Sequence, residues 1–206
     1  MTLVIIAVLA GAVAGFARGG GLVRLVAVRP VRSRLLLTGL GAYAVGVMVA
    51  LLWAPALAIF ASVAMLLWAF YAWLNRSIQG APLIAAGLVS NALVLLINGA
   101  TPVSEDAAER AGADLAEAVA PQLSEPAGQD SRLPWLGKSI PIAFPPRPEV
   151  VSPGDLAIAA GFAVAVCMGM TGRRREPPPT MDVDDEWYEE DDMSDSETFD
   201  ASTSAR

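Results

Sequence analysis

Few side chains in this 206-residue chain are of the types that usually carry out chemistry. The sequence contains no histidine, one cysteine, Cys167, and one lysine, Lys138. Metal sites and nucleophilic mechanisms commonly draw on histidine or cysteine, and disulfide frameworks need pairs of cysteines. We therefore expect no enzymatic activity, no metal and no cofactor, and we identify no catalytic residue.

The polar residues of greatest interest are two amides in one apolar segment. Asn91 and Asn98 are spaced so that both side chains lie on one face of a helix, two turns apart. A buried amide in a membrane helix either bonds a neighbouring helix or lines a polar path. We favour interhelical bonding for Asn91, because the apolar segments offer no ionisable partner. We expect water to reach Asn98.

The sequence Ser152-Pro153-Gly154-Asp155 predicts the start of a helix. Ser152 fits the N-cap position, Pro153 fits the first helical position, and Asp155 can return a hydrogen bond to the cap amide. Capping therefore accounts for Asp155. The alternative is a functional carboxylate at the mouth of the helix.

These residues must be positioned by strongly apolar elements. Hydrophobic residues make up 54% of the chain, charged residues 17%, and the mean hydropathy is +0.50, values typical of a membrane protein. We predict an all-α membrane protein, a five-helix transmembrane bundle comprising residues 1–175. The predicted spans are about 3–17, 35–54, 56–74, 81–98 and 155–171.

Charge and proline positions decide how the first three spans are interpreted. Residues 35–74 carry no charge and contain Pro55, so we predict two helices joined by a tight turn. The first span resembles a cleaved signal peptide in its small residues, but no basic residue precedes it. We therefore expect it to be retained as a helix.

The basic residues predict the orientation in the membrane. By the positive-inside rule, the face that carries most arginines lies in the cytoplasm, which puts the N-terminus outside and the C-terminus inside a bacterial plasma membrane. Residue 120 should then be outside and residue 200 inside. The nine basic residues on the predicted inner face are Arg18, Arg24, Arg29, Arg32, Arg34, Arg76, Arg173, Arg174 and Arg175.

The outer loop, residues 99–154, is long and rich in proline. Its one strong helix signal is Ser104, which can cap an alanine-rich run that continues to Val119. The remainder contains too few apolar residues to build a core. We expect an extended chain that lies over the membrane surface.

Residues 176–206 contain twelve acidic residues and one arginine. Such a composition predicts a disordered cytoplasmic tail that the bundle does not need for folding. Trp187, Tyr188 and Phe199 lie among the acids and are candidates for docking on a basic protein partner. The alternative is a solvating tail without a partner.

Small residues recur at every fourth position in the first and last spans, which predicts that these two helices pack closely. The alternative is that alanine- and glycine-rich helices show this spacing by composition alone. The residues are Ala7, Gly11, Gly15 and Gly19 in the first span and Ala157, Gly161, Ala165 and Gly169 in the last.

Several short motifs resemble those of one family. The motifs are Asn98-Gly99, Pro102-Val103-Ser104, Arg132-Leu133-Pro134-Trp135-Leu136-Gly137, Ile140-Pro141, Ser152 and Gly154-Asp155, with Asn75-Arg76, Gly87 and Asn91 before them. In these the chain resembles the domain-of-unknown-function family 5317 of small actinobacterial membrane proteins. The resemblance implies a multi-pass plasma-membrane protein and supplies no activity. It adds Gly99 and Pro102 to the candidate functional residues.

The leading hypothesis for function is a non-enzymatic membrane protein that anchors, scaffolds or modulates partner proteins. Its partners would be the lipid bilayer and a protein bound by the acidic tail, without nucleic acid. The alternative is a small transporter or channel component that acts as an oligomer, although the predicted spans contain no charged residue of the kind that ion-coupled carriers use. The sequence leaves the oligomeric state open.

Overall fold

A computed structural model describes residues 2–26, 30–119, 123–143 and 148–172. The acidic tail lies outside the described residues. The predictions made for it and for Trp187, Tyr188 and Phe199 therefore stay predictions.

The described part of the chain is mostly helical, with two small sheets. Its helices are α1 (Thr2–Ala17), α2 (Leu22–Val26), α3 (Arg34–Ala50), α4 (Ala56–Leu74), α5 (Ala81–Asn98), α6 (Glu105–Ala111), α7 (Leu115–Val119) and α8 (Pro153–Thr171). Its strands are β1 (Thr101–Val103), β2 (Ser124–Pro126), β3 (Ile140–Ile142) and β4 (Glu149–Val151), and a 3-10 helix covers Pro134–Leu136.

Three of the helices are long and apolar enough to cross a membrane: α4, α5 and α8, with 19, 18 and 19 residues. At 1.5 Å per residue an 18-residue helix extends about 27 Å, close to the thickness of a bilayer's hydrocarbon core. The apolar helices α1 and α3 are shorter, with 16 and 17 residues. The structure therefore supports a helical membrane protein, and five crossings remain a prediction.

The uncharged stretch 35–74 contains two helices, as predicted. Helix α3 ends at Ala50, and α4 begins at Ala56 directly after Pro55. Between them the Trp53 amide donates to the Val49 carbonyl at 2.9 Å, which closes the end of α3. Because proline has no amide hydrogen, Pro55 leaves no donor unsatisfied at the start of α4.

The long helices pack in the order α3, α4, α5, α8, α1, each against the next. The predicted pairing of the first and last spans is therefore confirmed. On α1, Gly11 lies against the backbone of Ala163 and Gly15 against Met170, so the small residues of α1 do let α8 approach closely.

The role predicted for the small residues of α8 is wrong in part. Gly161 faces α5, where Gly80 and Ile84 lie so close that a side chain at position 161 would clash with them. Helix α8 packs between α5 and α1. Gly161 lies on the side that contacts α5, whereas Ala163 and Met170 lie on the side that contacts α1.

Helix surfaces that face away from neighbouring helices carry large apolar side chains. Val13 on α1 is 69% exposed and Leu37 on α3 is 70% exposed. Apolar surface of this extent is unusual for a soluble protein and suits contact with lipid.

We call the segment 99–152 the cap. Its described residues, 99–119, 123–143 and 148–152, are folded, and the expectation of an extended chain is wrong. Strand β1 pairs in parallel with β2, β3 pairs in antiparallel fashion with β4, and Val103 forms an isolated bridge with Lys138. Helix α6 packs against β3 and β4. The buried residues of the cap core are Val103, Ala107, Ala108, Ala111 and Val150.

Two physical reasons explain this correction. Three of the five buried residues of the cap core are alanines, whose small side chains bring helix and strands close, so counting large apolar residues underestimates the core. The cap also shares burial with the bundle, because Leu123 packs against Ala58, Ala61 and Leu95.

The alanine-rich run of the cap begins as predicted and ends earlier. The Ser104 side chain accepts a hydrogen bond from the Ala107 amide at 3.3 Å and so caps α6. Gly112 then ends the helix in the left-handed conformation, with φ of 72°. A second short helix, α7, completes the run to Val119.

Candidate functional site

The six candidate residues that precede the acidic tail lie where the cap meets the bundle. Asn91, Ser152 and Asp155 form one group, between the middle of α5 and the start of α8. Asn98, Gly99 and Pro102 form a second group at the end of α5.

The start of α8 is a capping box, as predicted. The Ser152 hydroxyl accepts from the Asp155 amide at 2.9 Å, and the Ser152 amide donates to Asp155 Oδ2 at 3.0 Å. Pro153 occupies the first helical position. These bonds satisfy donors that a helix N-terminus would otherwise leave unpaired.

Asn91 of α5 joins this capping box from the side. Its Nδ2 donates to Asp155 Oδ1 at 2.8 Å, and its Oδ1 accepts from the Ser152 hydroxyl at 2.9 Å. The interpretation of Asn91 as a hydrogen-bonding link between helices matches this geometry. Its partner, however, is the ionisable Asp155, which the sequence argument did not foresee.

Glycines make this contact between α5 and α8 sterically feasible. A side chain at Gly154 would clash with Asn91 Oδ1, and one at Gly87 would clash with the Gly154 carbonyl. The two backbones therefore approach closely enough for the short Asn91 side chain to span the gap. We call the four hydrogen bonds among Asn91, Ser152 and Asp155 the seam ring.

Lys138 stands beside the seam ring on the cap side. Its backbone is fixed on both sides, since its amide donates to the Pro102 carbonyl at 2.8 Å and its carbonyl accepts from the Ser104 amide at 2.9 Å. Its Nζ donates to the Ser124 hydroxyl at 2.9 Å. The cap thus holds its one lysine in a partly buried position.

The charge of Lys138 is affected by two opposing influences. Burial removes water from the ammonium group and lowers the pKa of Lys138 below its ordinary value. The nearby carboxylates of Asp155 and Glu149 act in the opposite direction and offset part of that shift. Lys138 is therefore electrostatically coupled to the start of α8 and to β4.

Glu149 connects the cap to the first helix. The Thr2 hydroxyl at the start of α1 donates to Glu149 Oε1 at 2.7 Å. The contact brings the beginning of α1 to the same end of the bundle as the cap, next to the start of α8.

Asn98 attaches the cap to the end of α5. Its Nδ2 donates to the carbonyls of Val94 and Arg132, both at 2.9 Å, and its Oδ1 accepts from the Arg132 amide at 2.7 Å. The sequence predicted that water reaches Asn98, and it did not predict these three bonds. Asn98 binds both backbone groups of a residue 34 positions later in the chain.

Gly99 and Pro102 shape the chain as it leaves α5. Gly99 ends the helix with φ of 79°, a left-handed conformation that glycine adopts readily, and its amide donates to the Leu95 carbonyl at 2.8 Å. Pro102 is buried in β1, and Gly137 lies directly against it. Both residues serve the path of the backbone.

A third asparagine, Asn75, was not among the predicted site residues. It lies at the C-terminus of α4, is 5% exposed, and binds Val31 at the opposite end of the bundle. We call that end, with the described residues 18–26, 30–33 and 75–80, the arginine end. The signal available in the sequence was the Asn75-Arg76 pair after an aromatic cluster, where a helix must stop and leave carbonyl groups free.

The polar side chains of this region mainly join the cap to the helices through hydrogen bonds. Among the described residues, no three histidine, cysteine, aspartate or glutamate side chains come together as a metal site. The polar atoms of Asn91, Ser152 and Asp155 are bonded to one another. Lys138 and Glu149, which the sequence analysis did not propose as site residues, complete the junction between cap and bundle.

Comparison with known proteins identifies a family that matches most of the chain. Neither a curated protein nor a solved structure matches the chain. The profile of the family of unknown function (DUF5317) matches residues 33–167, which include α3, α4, α5, the cap and most of α8. The chain therefore belongs to the family of unknown function DUF5317.

Proposed function

We propose that this protein is a non-enzymatic integral membrane protein that holds the cap as a fixed docking surface for a partner protein. In this proposal five helices cross the membrane, the cap and the N-terminus face outward, and the C-terminal tail lies in the cytoplasm. The tail would provide a second contact, for a cytoplasmic partner.

The observation that carries this proposal is the double attachment of the cap. A simple connection between two helices needs neither a core nor side-chain bonds to the helix ends. The cap has the core around Val103, the two hydrogen bonds between Asn98 and the Arg132 backbone, and a junction with the seam ring. A segment held in this way presents its outer surface in one arrangement, which lowers the entropy cost of binding a partner.

The charge distribution supports the proposed orientation. Described arginines on the arginine end include Arg18, Arg24 and Arg76, whereas the described acidic residues belong to the cap or to the first turn of α8. Arg76 also lies over the Trp73 ring at 5.7 Å, an arrangement suited to a membrane–water interface. By the positive-inside rule the arginine end faces the cytoplasm.

The orientation can be tested with single introduced cysteines. In a Cys167→Ala background, Glu109→Cys places a thiol on an exposed position of α6, and Ser202→Cys places one in the tail. An impermeant maleimide should label the cap cysteine in intact cells and the tail cysteine only after lysis. Labelling of Ser202→Cys in intact cells would contradict the proposed topology.

Docking itself can be tested by photo-crosslinking in cells. A photoreactive amino acid at exposed Trp135 of the cap should give a discrete protein adduct, whereas the same group at exposed Val13 of α1 should give only lipid adducts. Asn98→Leu, which removes the two hydrogen bonds to the Arg132 backbone, should weaken the discrete adduct. A pattern that is the same at both positions would reject the docking function.

A further inference from the structure

A cavity of about 470 Å³ lies where the cap meets the end of α5. Its walls contain both apolar and charged groups. Ile97 and Asn98 come from α5, and Glu125, Asp130 and Arg132 come from the cap. The cavity is distinct from the seam ring, whose residues do not line it.

The position of the cavity corresponds to a membrane–water boundary. Helix α5 is long enough to cross the hydrocarbon core, so its last residues, Ile97 and Asn98, reach the headgroup level. Trp135, in the 3-10 helix that packs on α5, is 64% exposed, as is common for tryptophan at that level.

The charged groups of the cavity are available to a ligand. Among the described residues, the Arg132 guanidinium and the carboxylates of Glu125 and Asp130 make no hydrogen bond or ion pair within the chain. The backbone of Arg132 is nevertheless fixed by Asn98. The positive group is thus anchored through its backbone, and it lines the same cavity as two negative groups.

An apolar strip runs from the cavity along α5. Ile97, Leu93 and Val89 follow one another at intervals of four residues, and 38%, 44% and 47% of their respective surfaces are exposed. Residues four apart lie on one face of a helix, so the three side chains form a line. A hydrocarbon chain lying along this line would begin at the cavity.

We propose that the cavity binds the headgroup of phosphatidylethanolamine, a phospholipid that carries both a phosphate and a primary ammonium group. The Arg132 guanidinium pairs with the phosphate in its preferred bidentate geometry, and Glu125 and Asp130 accept hydrogen bonds from the ammonium group. One acyl chain lies along the Ile97–Leu93–Val89 strip. Two acids beside one arginine favour this zwitterion over an anionic lipid such as phosphatidylglycerol. The inference depends on α5 crossing a membrane and is independent of the proposed docking function.

The first test needs no mutation. Full-length protein is placed in nanodiscs of equal phosphatidylethanolamine and phosphatidylglycerol, released in the gas phase, and its retained lipid is identified by native mass spectrometry. We expect phosphatidylethanolamine to be retained about tenfold over phosphatidylglycerol, the discrimination that one charge-assisted hydrogen bond supplies. Equal retention would mean unselective lipid contact and would overturn the proposal.

Two variants then locate the site. Arg132→Gln removes the guanidinium but keeps the backbone groups that Asn98 binds, and Glu125→Gln with Asp130→Asn removes the ammonium partners. Each should reduce retained phosphatidylethanolamine about tenfold, whereas the matched control Arg110→Gln on exposed α6 should leave it unchanged. Full retention by both variants would overturn the assignment. If a variant fails to fold, the wild-type lipid ratio still decides.

A third experiment distinguishes binding of the intact lipid from binding of its headgroup alone. Soluble phosphoethanolamine at millimolar concentration should not displace the bound lipid, because it lacks the acyl chain that the α5 strip holds. Displacement at that concentration would show that the cavity binds a free phosphate ester and would overturn the assignment of a lipid.

Discussion

The two ends of the helix bundle use the same asparagine geometry to hold very different segments. At the arginine end, Asn75 accepts from the Val31 amide at 2.7 Å and donates to the Val31 carbonyl at 3.1 Å. At the cap end, Asn98 makes the equivalent pair with Arg132, at 2.7 and 2.9 Å. Each amide also donates to the carbonyl four residues earlier in its own helix.

The comparison shows what a helix C-terminus can do with one amide side chain. The last turn of a helix leaves carbonyl groups free, and an asparagine there can satisfy one of them while binding both backbone groups of a passing chain. The two ends of the bundle differ in the structure of the segment that the asparagine holds. The cap has its own core and a junction with the seam ring, so it is a folded part of the molecule.

Removing the carboxylate of the seam ring should have the largest effect on the cap end. Asp155→Ala loses the capping bond to the Ser152 amide and the bond from Asn91, and it removes a negative charge near Lys138. We expect a loss of about 3 kcal/mol in unfolding free energy, measured in detergent or bicelles. Asp155→Asn, which keeps the shape and one acceptor, should lose less than half of that. A loss below about 0.5 kcal/mol for Asp155→Ala would show that the seam ring does not stabilise the protein.

The two asparagine attachments can be compared directly. Asn98→Leu removes three hydrogen bonds, two of them to the Arg132 backbone, and should cost about 2 kcal/mol. Asn75→Leu should cost a similar amount. The variants should differ in location: hydrogen exchange should quicken around residue 132 in the first and around residue 31 in the second. If both variants loosen the same end, the attachments are not independent.

The link between α5 and α8 should contribute less. Asn91→Leu is expected to cost about 1 kcal/mol, as other interhelical hydrogen bonds in membranes do. In a double-mutant cycle, Ser152→Ala should add less in the Asn91→Leu background than in the wild type, because the two side chains share a bond. Strict additivity would contradict the shared bond.

The smallest predicted effect is a change of folding stability with pH, which arises in the cap and not at the arginine end. Burial lowers the pKa of Lys138, so between that pKa and the ordinary lysine value of about 10.5 the folded protein binds fewer protons than the unfolded chain. Stability should therefore rise slightly as pH increases through this window. Lys138→Met should flatten the rise, and Arg76→Gln at the arginine end should not.

Local signals in the sequence predicted the long helices and the two N-cap residues, Ser104 and Ser152, well. Helix α4 covers Ala56–Leu74 and α5 covers Ala81–Asn98, because long apolar runs bounded by Pro55 and Gly99 leave few alternatives. The capping roles of Ser104 and Ser152 follow from residues within three positions of each.

Contacts between distant residues were not predictable in the same way. The sequence suggests that Asn91 matters more than Asn98, because Asn98 lies at the outer end of an apolar run where water is expected. The structure leads us to expect the reverse order, because Asn98 binds Arg132, a partner 34 residues away that no periodicity reveals. The core of the cap was missed for a related reason, since its alanines become a core only when β3 and β4, which come much later in the chain, cover them.

The most direct test of the central claim, that the cap is folded and fixed to the helix ends, is amide hydrogen exchange of the full-length protein in nanodiscs. The amides of Ser104, Arg132 and Lys138 donate to the Lys138, Asn98 and Pro102 oxygens, respectively. The account predicts that their exchange is slowed by about a hundredfold or more relative to an unstructured peptide. Exchange of all three amides at the unstructured rate would contradict it and would restore the picture of a loosely held chain.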